Sequence, residues 1–205
     1  MTDASRRVVL ATHNPDKARE LRALFGTLDG VEVVTAADLD GDAPEAEENG
    51  STLAENALIK ARAIAEFGGA LSVADDTGLE VDALDGAPGI YAARYAGPDA
   101  TYRDNCEKLL RELEGVPAAR RTARFRTVMA MVDPAAGVER TADGVLEGRI
   151  LEAMRGDGGF GYDPLFALPD RDVTLAEIAA DEKNRISHRA RAAQAMLEVL
   201  RAHLG

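Results

Sequence analysis

An α/β fold is predicted for this chain of 205 residues because short apolar runs alternate with helical patterns along it. Arg7 to Thr12, Val31 to Thr35 and residues 71–74 have the length and composition of buried strands. Apolar residues at helical spacing predict one helix after Asn14-Pro15 and a second over Leu53 to Phe67. Strands that alternate with helices in this way are typical of an α/β sheet.

The composition indicates a single domain over residues 1–205, with 46% hydrophobic residues available for its core. A formal charge of −12 opposes general binding to nucleic acid or to an anionic membrane, although a local basic pocket for a small phosphorylated ligand remains compatible with it. No run approaches the roughly 20 apolar residues that a membrane span needs. One cysteine cannot form an intrachain disulfide, so we expect a soluble cytoplasmic protein.

The corner between the first strand and the first helix has the chemistry of an anion site. Asn14 is a favoured N-cap and Pro15 a favoured first helical residue, so the helix boundary is well marked. Such a corner offers free backbone N–H groups and the positive end of the helix dipole. Thr12, Asn14 and Lys17 add side-chain donors. Ordinary capping with a surface lysine is the alternative, and this corner alone slightly favours it.

Two adjacent carboxylates, Asp75 and Asp76, follow the apolar run of residues 71–74 and precede Thr77. Ligands of open α/β sheets bind at the carboxyl ends of the strands, and oxygen donors suit Mg²⁺. A turn in which both carboxylates bind nearby N–H groups accounts equally well for these residues alone. The long punctuated loop that follows, with Gly86 to Gly89 and then Tyr91, favours a site.

Lys60 lies on the apolar stripe of the helix over Leu53 to Phe67. A lysine in that position either extends its ammonium to solvent or turns it toward an anionic partner. Extension to solvent is the commoner case in general. Because the next strand leads to Asp75 and Asp76, an inward lysine is the alternative that we retain.

The second half of the chain adds three further candidates. Thr101 to Leu113 predicts an amphipathic helix with Tyr102 and Cys106 on its core face, followed by strands over residues 123–133 and 138–150. Phe160 lies in a glycine-rich loop, which favours either a platform for a base or an aromatic ring tucked into the core. Ser187 is predicted to cap the last helix, so that Lys183, His188 and Arg189 gather at a helix N-terminus. There the dipole disfavours cations unless an acceptor-rich ligand binds; an exposed basic patch is the alternative.

Taken together these stretches resemble one family, the inosine and xanthosine triphosphate pyrophosphatases. The motifs that carry the resemblance are Thr12 to Lys17, Glu55 to Arg62, Asp75 to Tyr95, Gly158 to Asp163 and Ser187 to Arg189. The resemblance implies an elongated mixed β-sheet flanked by helices, two lobes around a central cleft and a homodimer. It also implies Mg²⁺-dependent hydrolysis of ITP, dITP and XTP to the monophosphate and pyrophosphate.

The resemblance further implies a role for individual residues. The residues that bind the triphosphate are Thr12, His13, Asn14, Pro15, Asp16 and Lys17, with Lys60 neutralising its charge. Glu48 and Asp76 hold the metal, Asp76 also takes the proton of the attacking water, and Asp75 is an alternative for either task. Choosing Glu48 over Glu47 rests on motif position alone. The residues implied to bind the rest of the substrate are Thr77 and, around the base, Phe160, Gly161, Tyr162, Asp163, Lys183, His188 and Arg189.

Base selection follows from donor and acceptor chemistry. Hypoxanthine and xanthine present O6 as an acceptor, which Arg189 and His188 could bind, whereas adenine presents an amino donor at that place. Three alternatives remain: a related pyrophosphatase that acts on modified pyrimidine triphosphates, a nucleotide-binding protein without turnover, and a purely structural α/β domain. Keeping Lys60 beside the paired aspartates would be costly in a protein that does not use their charges. This cost disfavours the binding protein without turnover and the purely structural domain.

Overall fold

The computed structural model describes residues 6–205 and contains seven strands and five α-helices within that range. The strands are β1 (Arg6–Leu10), β2 (Val31–Thr35), β3 (Ser72–Val81), β4 (Pro88–Gly89), β5 (Thr122–Asp133), β6 (Val138–Ile150) and β7 (Phe166–Ala167). The α-helices are α1 (Pro15–Phe25), α2 (Leu53–Gly68), α3 (Tyr102–Glu112), α4 (Ala180–Ile186) and α5 (His188–Leu204). The predicted α/β fold is confirmed. Within residues 6–205, no helix is both long and apolar enough to cross a membrane.

The sheet is mixed, and hydrogen-bonded strands follow the order β2-β1-β3-β5-β6-β7, with β4 paired to β3. β1 is parallel to β2 along its whole length and parallel to β3 only where Val9 faces Ser72 and Leu10 faces Val73. β4 is antiparallel to β3, and β7 is antiparallel to β6. The parallel part of β3 therefore ends two residues before the paired aspartates.

The chain divides into two compact units. Unit 1 comprises the described residues up to Asp76 together with Thr127–Gly144 and Arg191–Gly205, and unit 2 comprises Thr77–Arg126 and Val145–Ala190. The assignment of residues 1–205 to one domain stays a prediction.

Alternation along β1 divides the core of unit 1 into two layers. Val8 and Leu10 pack with apolar residues of α1 and α5, such as Phe25 and Met196. Val9 points to the opposite face, where it packs with the small residues of α2, among them Ala57 and Ala61. A strand alternates its side chains between faces, so one apolar strand accounts for helices on both sides of it. In unit 2, residues of α3 such as Leu109 pack with residues of β5 and β6 in a separate core.

Both helix starts of unit 1 are placed as the sequence predicts. Asn14 caps α1, because its side chain accepts from the N–H groups of Asp16 and Lys17. Thr52 caps α2 by accepting from the N–H of Glu55. A cap is a local interaction, so its residues predict the boundary without knowledge of the rest of the fold.

Several features differ from the sequence-based predictions. β3 does not end at the paired aspartates but continues through them to Val81, because β4 pairs with its distal half. Of the one or two strands that the sequence allows over residues 138–150, the structure has the single strand β6. β7 and α4 were not predicted. Tyr102 is 41% exposed and so does not join the core, whereas Cys106 is buried as predicted.

A stability prediction arises in unit 2 from Arg121, a buried arginine immediately before β5 that is only 5% exposed. Its guanidinium donates to three carbonyl oxygens, those of Leu113, Val116 and Leu151, at 2.8–3.2 Å. Arg121→Ala leaves these acceptors without their donor, and we expect it to lower the free energy of unfolding by about 3 kcal/mol. The exposed neighbour Arg120→Ala is the control. Denaturant unfolding of both variants checks the prediction, and equal losses would contradict it.

Candidate active site

In unit 1, three carboxylates and two lysines gather beside the carboxyl end of β1; we call them the carboxylate–lysine cluster. Asp75 and Asp76 lie in β3 just beyond its parallel pairing with β1. Lys17 comes from the first turn of α1, which begins five residues after β1 ends, and Lys60 comes from the middle of α2. Glu48 belongs to the segment before α2. Five side chains from four segments therefore meet at one end of two parallel strands.

Lysine ammonium groups join the carboxylates of this cluster. Lys60 Nζ lies 2.7 Å from Glu48 Oε1 and 2.9 Å from Asp76 Oδ1, and so it bridges the two. Lys17 Nζ lies 3.1 Å from Asp75 Oδ2. The side chains of Asp75 and Asp76 are almost wholly buried, at 1% and 8% exposure. Buried charges are tolerated only when they are paired. The two lysines therefore supply the positive charge that allows the aspartates to be buried.

The pKa values of two members are displaced by this environment. Burial raises the pKa of Asp76, and the positive charges of Lys60 and Lys17 offset that effect only in part. Burial alone would lower the pKa of Lys60, but the carboxylates of Asp76, Asp75 and Glu48 outweigh it and raise the pKa. Lys60 is therefore charged at neutral pH, and the Asp76 carboxylate is a stronger proton acceptor than an exposed aspartate.

The corner from Thr12 to Lys17 is more fully bonded than the sequence predicted. The N–H groups of Asp16 and Lys17 donate to the Asn14 cap, so they are not the free donors that we expected for an anion. Thr12 Oγ1 accepts from the N–H of Asn14 at 3.2 Å. His13 Nε2 lies 3.2 Å from the carbonyl oxygen of Pro44. Pro15 is exposed at the helix start, and Asp16 pairs with Arg19.

A buried asparagine in α2 also contacts the cluster, although the sequence assigned it no role. Asn56 is 0% exposed, its Nδ2 donates to Asp76 Oδ2 at 3.3 Å, and its Oδ1 accepts from the N–H of Gly50 at 2.9 Å. An asparagine on a helix gives no periodic signal that distinguishes this position from a surface one. The only sequence cue was its place inside the motif Glu55 to Arg62.

The donor set of the cluster fits a magnesium ion. Mg²⁺ usually takes one or two protein carboxylates and completes its shell with water and substrate phosphates. Glu48 and Asp76 are two such oxygen donors, and the Lys60 ammonium between them marks a place where positive charge is favoured. Over residues 6–205, no three His, Cys, Asp or Glu side chains are grouped to hold a metal ion by themselves. A shell shared with substrate phosphates is the arrangement that this donor set suits.

In unit 2 a second group surrounds Phe160, and we call it the Phe160 cluster: Phe160, Asp163, Lys183 and Arg189. Asp163 Oδ2 accepts from the N–H of Phe160 at 2.8 Å and from Lys183 Nζ at 2.7 Å. The Phe160 ring has Lys183 Nζ 4.5 Å and the Arg189 guanidinium carbon 5.2 Å from its centre. Cations at these distances are attracted by the ring electrons. The cluster therefore holds an aromatic ring and two buried cations together.

Glycine is required where the loop of Phe160 turns against Asp163. Gly159 has φ +68°, and a Cβ there would lie 2.1 Å from Asp163 Oδ2. A side chain at this position would displace the carboxylate that holds both Phe160 and Lys183. A positive φ of this kind is one that glycine adopts without strain and other residues rarely adopt.

The remaining predicted residues of unit 2 lie close to this cluster or in the core. Arg189 Nη2 donates to Thr77 Oγ1 at 3.3 Å. His188 stacks on Phe125 with ring centres 4.4 Å apart, and the flanking Ser187 caps α5 as predicted. The Tyr162 ring is buried in the core and its hydroxyl donates to the carbonyl oxygen of Ala92. The carbonyl oxygen of Gly161 accepts from Cys106 Sγ at 3.4 Å.

One prediction about the basic residues needs correction. Lys183 does not lie at a helix N-terminus, because residues 180–186 form the separate helix α4 and Lys183 is in its last turn. A cation is favourable there, so the helix dipole gives no reason to expect a ligand beside Lys183. His188 and Arg189 do begin α5, where the dipole argument still applies.

Comparison with known proteins identifies the family. The sequence profile described as Ham1 family matches residues 8–199. The chain belongs to the Ham1 family. It is 50% identical over 194 residues to a dITP/XTP pyrophosphatase of Desulforamulus reducens, with 95% of each chain covered. It is 52% identical over 190 residues to a dITP/XTP pyrophosphatase of Geobacillus kaustophilus, with 91% of this chain and 90% of that one covered.

Solved structures agree with this assignment. A HAM1 protein from Coxiella burnetii superimposes with a TM-score of 0.86 at 38% identity, covering 96% of this chain and 99% of that one. The Ham1 family match covers every sequence motif from Thr12 to Arg189. The resemblance drawn from those motifs is therefore confirmed, and the architecture predicted from it is that of a Ham1 fold.

Proposed function

We propose that this chain hydrolyses deaminated purine nucleoside triphosphates, dITP, ITP and XTP, to the monophosphate and pyrophosphate. The observation that carries the proposal is the bridge of Lys60 between Glu48 and Asp76, with Lys17 on the neighbouring Asp75. A triphosphate needs its charge neutralised and a water oriented, and this cluster offers two ammonium groups beside a buried carboxylate. Membership of the Ham1 family, with relatives named dITP/XTP pyrophosphatase, supports the same activity.

In the proposed reaction, water attacks the α-phosphorus in line with the bond to the β-phosphate. The oxygen of water bonds to phosphorus, the bond to the bridging oxygen breaks, and pyrophosphate leaves. Asp76 takes the proton of the water, because it is a buried carboxylate at the centre of the cluster and can act as a general base. Asp75, whose side chain contacts Lys17, remains the alternative base.

The lysines act on the negative charge of the substrate in this proposal. Lys60 is charged and largely enclosed by carboxylates, so an arriving phosphate oxygen can replace one of them as its partner. Lys17, with the corner from Thr12 to Asp16, binds the rest of the triphosphate. Fixed positive groups aimed at phosphate oxygens stabilise the charge that develops during displacement.

Magnesium is the metal that we propose, held by Glu48 and Asp76. When bound, Mg²⁺ neutralises phosphate charge and orients the reacting groups. Glu48 is preferred to Glu47 because Glu48 contacts Lys60 within the cluster, while the Glu47 side chain is exposed. Release of Lys60 toward the phosphates would leave both carboxylates available to the ion.

The Phe160 cluster is proposed to bind the base, together with Gly161, Tyr162 and His188. Phe160 offers a ring for stacking, and Arg189 offers donors to an O6 acceptor. Lys183 is paired with Asp163, so its first role is to hold the loop of Phe160 in place. We also propose a homodimer located in the cytoplasm, as the family resemblance implies.

The expected result of a substrate panel is release of pyrophosphate, not orthophosphate, from dITP, ITP and XTP in the presence of Mg²⁺. ATP should react far more slowly, because the 6-amino group of adenine leaves the Arg189 donors without an acceptor. GTP should also react far more slowly, but guanine keeps the O6 acceptor, so its 2-amino group is the feature that the site would reject. Separate detection of the two phosphate products, with and without chelator, checks the proposal. Orthophosphate as the first product, or equal rates on ATP and XTP, would contradict it. Activity mainly on modified pyrimidine triphosphates would support the alternative pyrophosphatase.

A further inference from the structure

Asn56 is a fully buried polar side chain whose two ends contact different parts of unit 1. Its Oδ1 accepts from the N–H of Gly50, and its Nδ2 donates to Asp76 Oδ2. A backbone N–H can only donate and an ionised carboxylate can only accept, so the two partners fix the orientation of the amide. Buried amides normally have both ends satisfied, and here one of the partners is the carboxylate proposed as the base.

Gly50 makes this contact possible because it has no side chain. A Cβ at position 50 would lie 2.7 Å from Asn56 Oδ1 and 2.7 Å from Glu55 Cβ, closer than atoms approach without displacement. Gly50 follows Glu48 by two residues. The bond from Gly50 to Asn56 therefore ties the segment that carries Glu48 to helix α2.

The two bonds of Asn56 also determine how the Asp76 carboxylate is turned. Asp76 Oδ2 is held by the amide, and Oδ1 faces Lys60 Nζ at 2.9 Å. Lys60 in turn contacts Glu48 at 2.7 Å. Gly50, Asn56, Asp76, Lys60 and Glu48 thus form a chain of contacts, which the backbone from Glu48 to Gly50 closes. Asn56 contributes the one uncharged side chain of this chain.

We propose that Asn56 is a positioning residue for catalysis, which fixes the rotation of the Asp76 carboxylate and the place of the Glu48 segment. The inference rests on the proposed role of Asp76. Residues that orient a catalytic or metal-binding carboxylate typically change activity by about 10- to 100-fold when they are removed. Because such residues do not contact the substrate, their substitution lowers kcat more than it raises KM.

Two substitutions separate the two bonds. Asn56→Asp keeps an acceptor for the Gly50 N–H but removes the donor to Asp76 and adds a repelling charge beside it. Asn56→Ala removes both bonds. We expect each variant to lower kcat on XTP by roughly 10- to 100-fold, with a much smaller change in KM. Hydrogen exchange of the Gly50 amide should become faster in Asn56→Ala and stay slow in Asn56→Asp.

Asn105 provides a matched control for the loss of a buried amide. It is 2% exposed and holds only backbone groups, the N–H of Ala96 and the carbonyl oxygen of Ala93. Asn105→Ala should lower the melting temperature about as much as Asn56→Ala does while keeping a kcat closer to that of the parent.

The outcomes of this experiment are distinct. Parental kcat in Asn56→Asp, or a kcat loss in Asn56→Ala no greater than in Asn105→Ala, would overturn the positioning role. Unchanged exchange at Gly50 in Asn56→Ala would overturn the link to the Glu48 segment. Absence of pyrophosphate release from the parent enzyme itself would instead overturn the proposed function, and the inference with it. The parent assay therefore separates the two failures.

Discussion

Asp76→Asn is expected to lower kcat for XTP by about 1,000-fold while leaving substrate affinity close to that of the parent. The amide has the shape of the carboxylate, so the buried position between Asn56 and Lys60 stays filled. It cannot accept the proton of the attacking water. It also removes one negative charge from a place where a triphosphate binds. Glu48 remains as the other proposed magnesium ligand, so the affinity for triphosphate should stay close to that of the parent. Single-turnover rates, together with calorimetric binding of a non-hydrolysable triphosphate analogue, measure the two effects separately.

Asp75→Asn is the matched control for that experiment. Asp75 is the adjacent residue and is also buried, and its side chain contacts Lys17, whereas that of Asp76 contacts Lys60. We expect this variant to change the affinity for triphosphate more than kcat, because it alters the partner of a phosphate-binding lysine. If Asp76→Asn retained substantial turnover and Asp75→Asn lost it, the base would be Asp75.

Local signals made the beginnings of the helices predictable. The α1 boundary follows from Asn14 and Pro15, because an N-cap and a first-turn proline depend only on their immediate neighbours. The sequence left two directions open for Lys60, and the structure shows the inward one, which the acidic residues after the next strand had kept as an alternative. The α1 cap depends on a few neighbouring residues, and the position of Lys60 depends on its charge.

The features that were predicted incorrectly depend on distant partners. The length of β3 is set by β4, which pairs with residues 79–80 and holds the chain extended beyond Asp76. Tyr102 lies on the helical stripe that predicts burial, yet it is the first residue of α3 and packs beside Phe160 with ring centres 5.9 Å apart. Periodicity identifies a face but not where the covering layer ends.

The Asn56 contact shows a different reason for failure. Asn56 and Asp76 are 20 residues apart, and a neutral amide carries no charge pattern that would pair them in the sequence. The second contact, with Gly50, needs the absence of a side chain, and a glycine before a helix is also an ordinary loop residue. Only the folded structure shows that Asn56 and Gly50 lie beside the carboxylate–lysine cluster.

Replacing Arg189 by methionine is expected to reduce discrimination between ITP and ATP by roughly one to two orders of magnitude. Arg189 is among the largest fully buried side chains, and methionine keeps much of its volume while removing every donor. If the guanidinium donates to O6 of hypoxanthine, activity on ITP falls and activity on ATP does not. The ratio of kcat/KM values for the two substrates measures this effect directly.

Two controls show whether a change in that ratio reflects recognition of the base. Arg191→Met, an exposed arginine two residues further along α5, should leave the ratio of kcat/KM values unchanged. A general loss of folding in Arg189→Met would lower both rates together and leave the ratio intact, because each rate scales with the folded fraction. Equal losses on ITP and ATP in a variant with a normal melting temperature would assign Arg189 to the phosphates instead. Phosphate binding is the alternative to exclude, because Arg189 contacts Thr77, the residue that follows Asp76. Only a change in the ratio of kcat/KM values assigns the guanidinium to the base.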